Sequence, residues 1–259
     1  MPASLAAAAP ASVAGLRDIL ALADRRHMAV EHRVIAGAPA VVIDGVYADP
    51  WAVRRLALEL DFQRPAGLYP GRFATVSIRP RGLEALLNDL LSPRLGRRLV
   101  FSPYYGDTTF AIIETPPDAL VPLQRQPHYD TFCDFAGVVY LSRRGGAPGG
   151  TSFWRHRRTG LTRAPGERLS VAPETARAAE RLLLEGITEL PPGYPVETSV
   201  HWALTEVVDM RFNRLVAYDA RAFHSPHITR FESPSDRTRA RLTQSLFLDV
   251  VSADVVGDP

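Results

Sequence analysis

Polar and apolar positions along the chain change period several times. Residues 13–27 place Leu16, Ile19, Leu20, Leu22 and Ala23 at helical spacing, which predicts an amphipathic helix behind a disordered Ala-rich tail at 1–12. Residues 33–46 are dense in Val, Ile and Ala and read as one or two strands. Asp49-Pro50 then supplies a helix start, with Asp as N-cap and Pro at the first helical position, for a helix over 51–60. A Pro- and Gly-rich loop at 65–72 precedes a strand at 74–79, a helix at 83–91, an extended stretch at 98–102 and an apolar strand at 108–114.

The Pro-rich run 116–127 is expected to be a loop that delivers the chain into His128. Beyond it, 137–142 reads as a buried strand, 145–150 as a flexible glycine turn, 151–155 as a short strand and 173–190 as a helix. The segments 200–212, 215–223 and 240–251 are strand-rich. Strands outnumber helices in this half and no internal repeat is present. The pattern predicts a mainly β fold, a sandwich or barrel with flanking helices, forming one domain over 13–259.

Candidate chemistry concentrates in Pro127-His128-Tyr129-Asp130. On an extended segment, side chains two residues apart share a face, so His128 and Asp130 point the same way. One further imidazole from another strand completes a face of two histidines and one carboxylate, the arrangement that holds a mononuclear iron while leaving positions open for other ligands. His224 and His227, in the segment 222–227, are the two candidates for it.

The order of features after His128 is what distinguishes this chain. A buried strand at 137–141 is followed by Gly149-Gly150-Thr151-Ser152-Phe153, a long insertion, a strand ending in His224 and another beginning at Arg241. In this the sequence resembles the 2-oxoglutarate- and iron(II)-dependent dioxygenases, especially their prolyl-hydroxylase branch. The resemblance spans 127–250 and implies a distorted double-stranded β-helix, the jelly roll shared with cupins. It makes His128, Asp130 and His224 the iron ligands, preferring His224 over His227 because the distal ligand closes a strand.

The same resemblance puts Arg241 where a basic residue pairs with the far carboxylate of 2-oxoglutarate, with Arg239 as the reserve. Thr243 lies two residues on, on the same face, able to donate its hydroxyl to that carboxylate. Alternation turns Arg241, Thr243 and Ser245 inward and Leu242, Gln244 and Leu246 outward. The amino-terminal half, with Val41-Val42-Ile43-Asp44, Asp49-Pro50 and Tyr69-Pro70-Gly71-Arg72, is similar to the lead-in of bacterial oxygenase-like proteins of unassigned substrate, in which the helix supports the barrel.

Composition narrows the chemistry. All 30 basic residues are Arg, which excludes Schiff-base and phosphate-loop lysines and leaves an Arg fork as the means of gripping a carboxylate. A net charge of +2 gives no reason to expect nucleic acid or a membrane surface as a partner. Cys133 is the only cysteine, so intrachain disulfides and thiolate metal clusters are excluded; a reducing cytoplasm is expected, with Cys133 a small buried hydrophobe. No apolar run is long enough to span a bilayer.

Among the remaining candidates, His156 in the basic run 154–158 is expected in a solvated turn, and His201 and Trp202 at the start of a strand. Tyr104, Tyr105, Tyr129 and Tyr140 are candidate pocket walls. The insertion between Trp154 and Trp202 is a natural lid. The expectation is an iron(II) enzyme that uses 2-oxoglutarate and dioxygen to hydroxylate an unactivated carbon of an amino acid, peptide or small metabolite. A cupin-like binding protein without turnover and a metal-dependent hydrolase or isomerase are the competing readings.

Overall fold

A computed structural model describes residues 13–65, 69–76, 78–101, 108–143, 149–165, 181, 184, 187–232 and 237–251. It contains the helices α1 (Val13–Ile19), α2 (Pro50–Glu59) and α3 (Leu83–Leu95). The strands are β1 (Ala29–Ile35), β2 (Ala38–Asp44), β3 (Gly71–Val76), β4 (Arg98–Phe101), β5 (Thr108–Ile113), β6 (Phe135–Tyr140), β7 (Gly149–His156), β8 (Trp202–Asp209), β9 (Arg214–Asp219), β10 (His224–Ile228) and β11 (Arg241–Val251). The tail at 1–12, Tyr104, Tyr105 and most of the helix expected at 173–190 lie outside the described residues.

Every described strand pairing is antiparallel. The larger sheet runs β1-β2-β9-β6-β11-β5-β3, with β4 also on β11, and the smaller runs β10-β7-β8. From β6 onward the chain passes from the large sheet to the small one at β7 and β8, back at β9, across at β10 and back at β11. That alternation of two facing antiparallel sheets is the jelly-roll winding, so the mainly β, double-stranded β-helix expectation holds. A salt bridge from Arg33 on β1 to Glu206 on β8, at 2.9 Å, ties the two sheets along one edge.

The alternation of side chains explains why the central strands are buried on both faces. On β9, Leu215 and Ala217 join the layer beneath the helices, while Val216 and Tyr218 turn into the barrel. Leu83, Leu87, Leu90 and Leu91 of α3 and Val53 and Ala57 of α2 fill the outer layer against Val41, Ile43, Val139, Leu242 and Leu246. Truncating one of these leucines to Ala should cost about 2–5 kcal/mol. Phe153, Tyr140, Ala136, Val42 and Cys133 line the inner layer, the last as the buried small hydrophobe expected of it.

Asp49 caps α2 by accepting the Ala52 N–H at 2.9 Å, as its position before Pro50 predicts. The expected helix at 13–27 ends at Ile19. Leu22 instead bridges Tyr47, and Asp24 caps a separate 3-10 turn at Arg25–His27, so the apolar spacing there reflects burial of an extended chain. In the other direction, α3 continues four residues past the expected end until Gly96, at φ 63°, terminates it.

Gly149 and Gly150 are strand residues of β7, where a flexible turn was expected. A Cβ on Gly150 would sit 2.1 Å from the Val208 carbonyl oxygen and one on Gly149 2.6 Å from that of His227. The glycines allow three strands to approach closely at this point. Among the described residues no helix is long and apolar enough to cross a membrane.

Candidate metal centre

His128 and His224 face each other across an isolated antiparallel bridge. The His128 N–H donates to the His224 carbonyl at 2.9 Å and the His224 N–H to the His128 carbonyl at 2.8 Å. Residues paired this way project to the same side, and the two rings lie 4.4 Å apart. The Asp130 N–H donates to the Ala220 carbonyl at 2.8 Å, which keeps the segment extended and turns the Asp130 side chain to the same side as His128. His224 opens β10, where a strand-closing position was expected, because the chain turns at 219–222 before the bridge forms.

The three residues each offer a ligand atom within 4.8 Å of the others, and His224 Nε2 stands 3.6 Å from Asp130 Oδ2. His224 Nδ1 lies 2.8 Å from the Ala222 carbonyl, an acceptor only, so the neutral ring carries its proton on Nδ1 and presents a lone pair at Nε2. Desolvation depresses the His224 imidazole to about 4. His128 keeps more solvent contact but is also lowered, by lost hydration and then by the neighbouring ring. Burial raises Asp130. Two neutral imidazoles thus surround a carboxylate whose charge is poorly compensated, and a divalent cation would relieve it. Ligands of such an ion stand about 3 Å from one another, so the donor set fits one after a small side-chain adjustment.

The inner face of β11 carries the second half of the site. Arg241 lies over the Tyr140 ring, 5.8 Å from its centroid, and donates from Nη2 to the Gly150 carbonyl at 2.9 Å. Its Nε is buried with no hydrogen-bond partner among the described residues. Burial raises the phenols of Tyr69, Tyr140, Tyr194 and Tyr218, and the charge of Arg241 opposes each of these shifts. Thr243 is buried on the same face, its hydroxyl 3.5 Å from the Ala111 carbonyl.

Tyr218 links the two ends of this interior. Its ring meets the His224 ring edge-on at 4.9 Å, and its phenol is raised well above the ordinary value by burial and then by Asp130, with Arg241 opposing. Reading β9 only as an apolar run missed this residue, although the alternation Val216, Tyr218 places it on the inner face. Tyr69 and Tyr194 come from loops that carry no periodic signal.

The alternatives to the expected residues separate by geometry. His227 is an odd number of residues from His224 on β10 and projects to the opposite side, away from the metal group. Arg239 belongs to a 3-10 turn, is 68% exposed and pairs with Glu232 at 3.4 Å. His156, expected in a solvated turn, ends β7 fully buried, with Nδ1 2.9 Å from the Thr159 hydroxyl and its ring on Trp202. His201 stands 3.5 Å from Glu189. Behind the metal strand, Trp154 Nε1 donates to the hydroxyls of Ser152 and Ser225, each at 3.0 Å, and locks β10 to β7.

Comparison with solved structures finds the non-heme alpha ketoglutarate dependent epimerase SnoN from nogalamycin biosynthesis, with a TM-score of 0.41 and 15% identity over 85% of this chain and 87% of that one. HygX from Streptomyces hygroscopicus, with nickel, 2-oxoglutarate and hygromycin B bound, gives 0.39 and 14% over 81% and 82%. Asparagine oxygenase (AsnO) gives 0.36 and 15% over 80% and 72%. At this distance the function has to be read from the chain's own residues. No curated protein sequence shows significant similarity to it. One family model, described as a family of unknown function, DUF6445, matches residues 25–248.

Proposed function

The chain belongs to the DUF6445 family, and from that premise we propose that it is an iron(II)- and 2-oxoglutarate-dependent oxygenase that hydroxylates an unactivated carbon of an amino acid, peptide or small metabolite. The observation that carries the reading is Arg241. A part-buried guanidinium whose buried Nε has no partner among the described residues lies on the inner face of β11, in a barrel that also carries a group of two histidines and one carboxylate. A ligand with a 2-oxo acid at one end and a carboxylate at the other meets both requirements.

His128, Asp130 and His224 would hold the metal, His224 through Nε2. Iron(II) bound there would supply the activation of dioxygen, coupled to oxidative decarboxylation of 2-oxoglutarate to succinate. Arg241 would grip the far carboxylate through its planar fork, which a flexible point charge does less well. Thr243 adds a hydroxyl donor to the same carboxylate. Phe153, Val216 and Tyr218 keep water from the interior between the two ends and so strengthen each electrostatic contact there. Tyr218, packed against His224, also fixes the plane of that ring.

Anaerobic titration of the purified protein with iron(II) and then 2-oxoglutarate tests this. A visible metal-to-cosubstrate charge-transfer band is expected, and its loss in Asp130→Ala. A protein that binds iron but develops no band with 2-oxoglutarate would overturn the reading.

A further inference from the structure

The turn at 219–222 serves two sites. Toward the metal centre, the Ala220 carbonyl accepts the Asp130 N–H at 2.8 Å and the Ala222 carbonyl holds His224 Nδ1 at 2.8 Å. Between those two residues, Arg221 lines a cavity of about 420 Å³ that none of the metal ligands lines. Arg97, Arg163, Asp134 and Asp219 share its wall, so among the described residues three guanidinium groups face two carboxylates there. Asp219 is already engaged at both oxygens: Oδ1 accepts the Arg221 backbone N–H at 2.8 Å and Oδ2 pairs with Arg163 at 3.0 Å. Asp134 Oδ2 accepts the Val250 N–H at 2.8 Å. The Arg221 guanidinium is left with one neutral partner, the Ala164 carbonyl, and with no ion pair among the described residues, although the residue is only 7% exposed.

A buried cation without a counter-ion is costly, and a second guanidinium beside it adds to the cost. Burial and then the charge of Arg163 hold Arg221 below the usual arginine value, and Asp219, Tyr129 and Asp134 offset this only in part. We propose that this cavity binds an oxyanion, the carboxylate or phosphate group of a small molecule, through Arg163 and Arg221. A guanidinium fork offers paired N–H donors to two oxygens of such a group. Arg221 lies in the turn whose neighbouring carbonyls orient Asp130 and His224, so an anion held there steadies two metal ligands at once. Anion and metal then strengthen each other's binding by the same factor. The coupling rests on the reading of His128, Asp130 and His224 as the metal ligands; the anion site does not.

Differential scanning of the full, metal-free chain tests the site, in sodium sulfate as a tetrahedral probe and in sodium acetate as a planar one, each against sodium chloride at the same ionic strength. A melting temperature about 2–5 °C higher than in chloride is expected with at least one of the two. Sulfate alone would identify a phosphate-like ligand and acetate alone a carboxylate. Arg221→Gln, which keeps an amide donor for the Ala164 carbonyl, should lose most of that rise, and so should Arg163→Gln, whose side chain is 39% exposed and tolerates the change if the Arg221 variant melts early. No rise over chloride with either anion, or a rise that both variants keep, overturns the site. Calorimetry with nickel(II) reads the coupling: the effective anion should tighten nickel(II) binding by about fivefold in the unsubstituted chain and not in Arg221→Gln. Equal nickel(II) affinity with and without the anion overturns the coupling alone. Failure to bind nickel(II) at all overturns the metal reading, while the melting series still decides the anion site.

Discussion

Arg241→Met separates a functional guanidinium from a structural one, because the two roles predict opposite signs. In the unliganded protein the substitution forfeits one bond to the Gly150 carbonyl, worth about 1 kcal/mol, and removes a buried Nε with no partner among the described residues, a relief of about 1–3 kcal/mol. Met keeps an unbranched stem of similar length and packs against Tyr140 and Ile113 without strain. The melting temperature without ligand should therefore hold or rise. Binding of 2-oxoglutarate should collapse, since losing one partner of a buried, hydrogen-bonded charge pair costs about 2–5 kcal/mol, a factor of about 30 or more in Kd. Calorimetry with the nickel(II)-loaded protein measures the second quantity and differential scanning the first. An Arg241→Met protein that binds 2-oxoglutarate as tightly as the unsubstituted chain, or that melts well below it, would refute the assignment.

Asp130→Asn removes a part-buried carboxylate that desolvation already disfavours, so the chain should retain its fold while its metal content after dialysis against a chelator falls from about one ion to near none; full retention would remove Asp130 from the ligand set. Arg214 holds Asp44 below its ordinary value of 3.8 through bonds of 2.6 and 2.8 Å. That contribution is present above the ordinary carboxylate range and is lost as pH falls through the depressed value, so Asp44→Asn should flatten the acid limb of a denaturation series between about pH 5 and 2. Gly150→Ala forces a Cβ toward the Val208 carbonyl and should lower the melting temperature by roughly 3–10 °C through overpacking, seen by circular dichroism.

Much of the site was legible because extended chains obey a two-residue rule. His128 and Asp130 share a face for that reason alone, and the same rule put Arg241 and Thr243 on one side of β11. It also separates His224 from His227, although the sequence analysis preferred His224 as the residue that closes a strand. Harder to read were features set by the approach of distant strands. Gly149-Gly150 looks like a turn until β8 and β10 are laid beside it. The run at 154–158 looks solvated because it is basic, yet Trp154 and His156 alternate with the exposed Arg155 and Arg157 and are buried on the outer face of β7 with Trp202. The helix expected over 13–27 failed because burial against Tyr47 produces an apolar pattern that helical periodicity also fits. Tyr69 and Tyr194 belong to irregular segments, where no period signals which side chains turn inward.

The two ends of the barrel interior have opposite electrostatic defects, and that opposition is more informative than either end alone. At the His224 end, burial raises a carboxylate and strips two imidazoles of their protons, so the group lacks positive charge. At the Arg241 end a permanent cation keeps an unused N–H, so that end lacks negative charge. Tyr218 feels both ends, its phenol raised by burial and then by Asp130 and lowered by Arg241. A structural ion pair would have brought Asp130 and Arg241 together, since a buried charge left apart from its counter-ion costs several kcal/mol. Their separation is not explained by such a pair. It does suit a ligand that reaches a metal with one end and a guanidinium with the other.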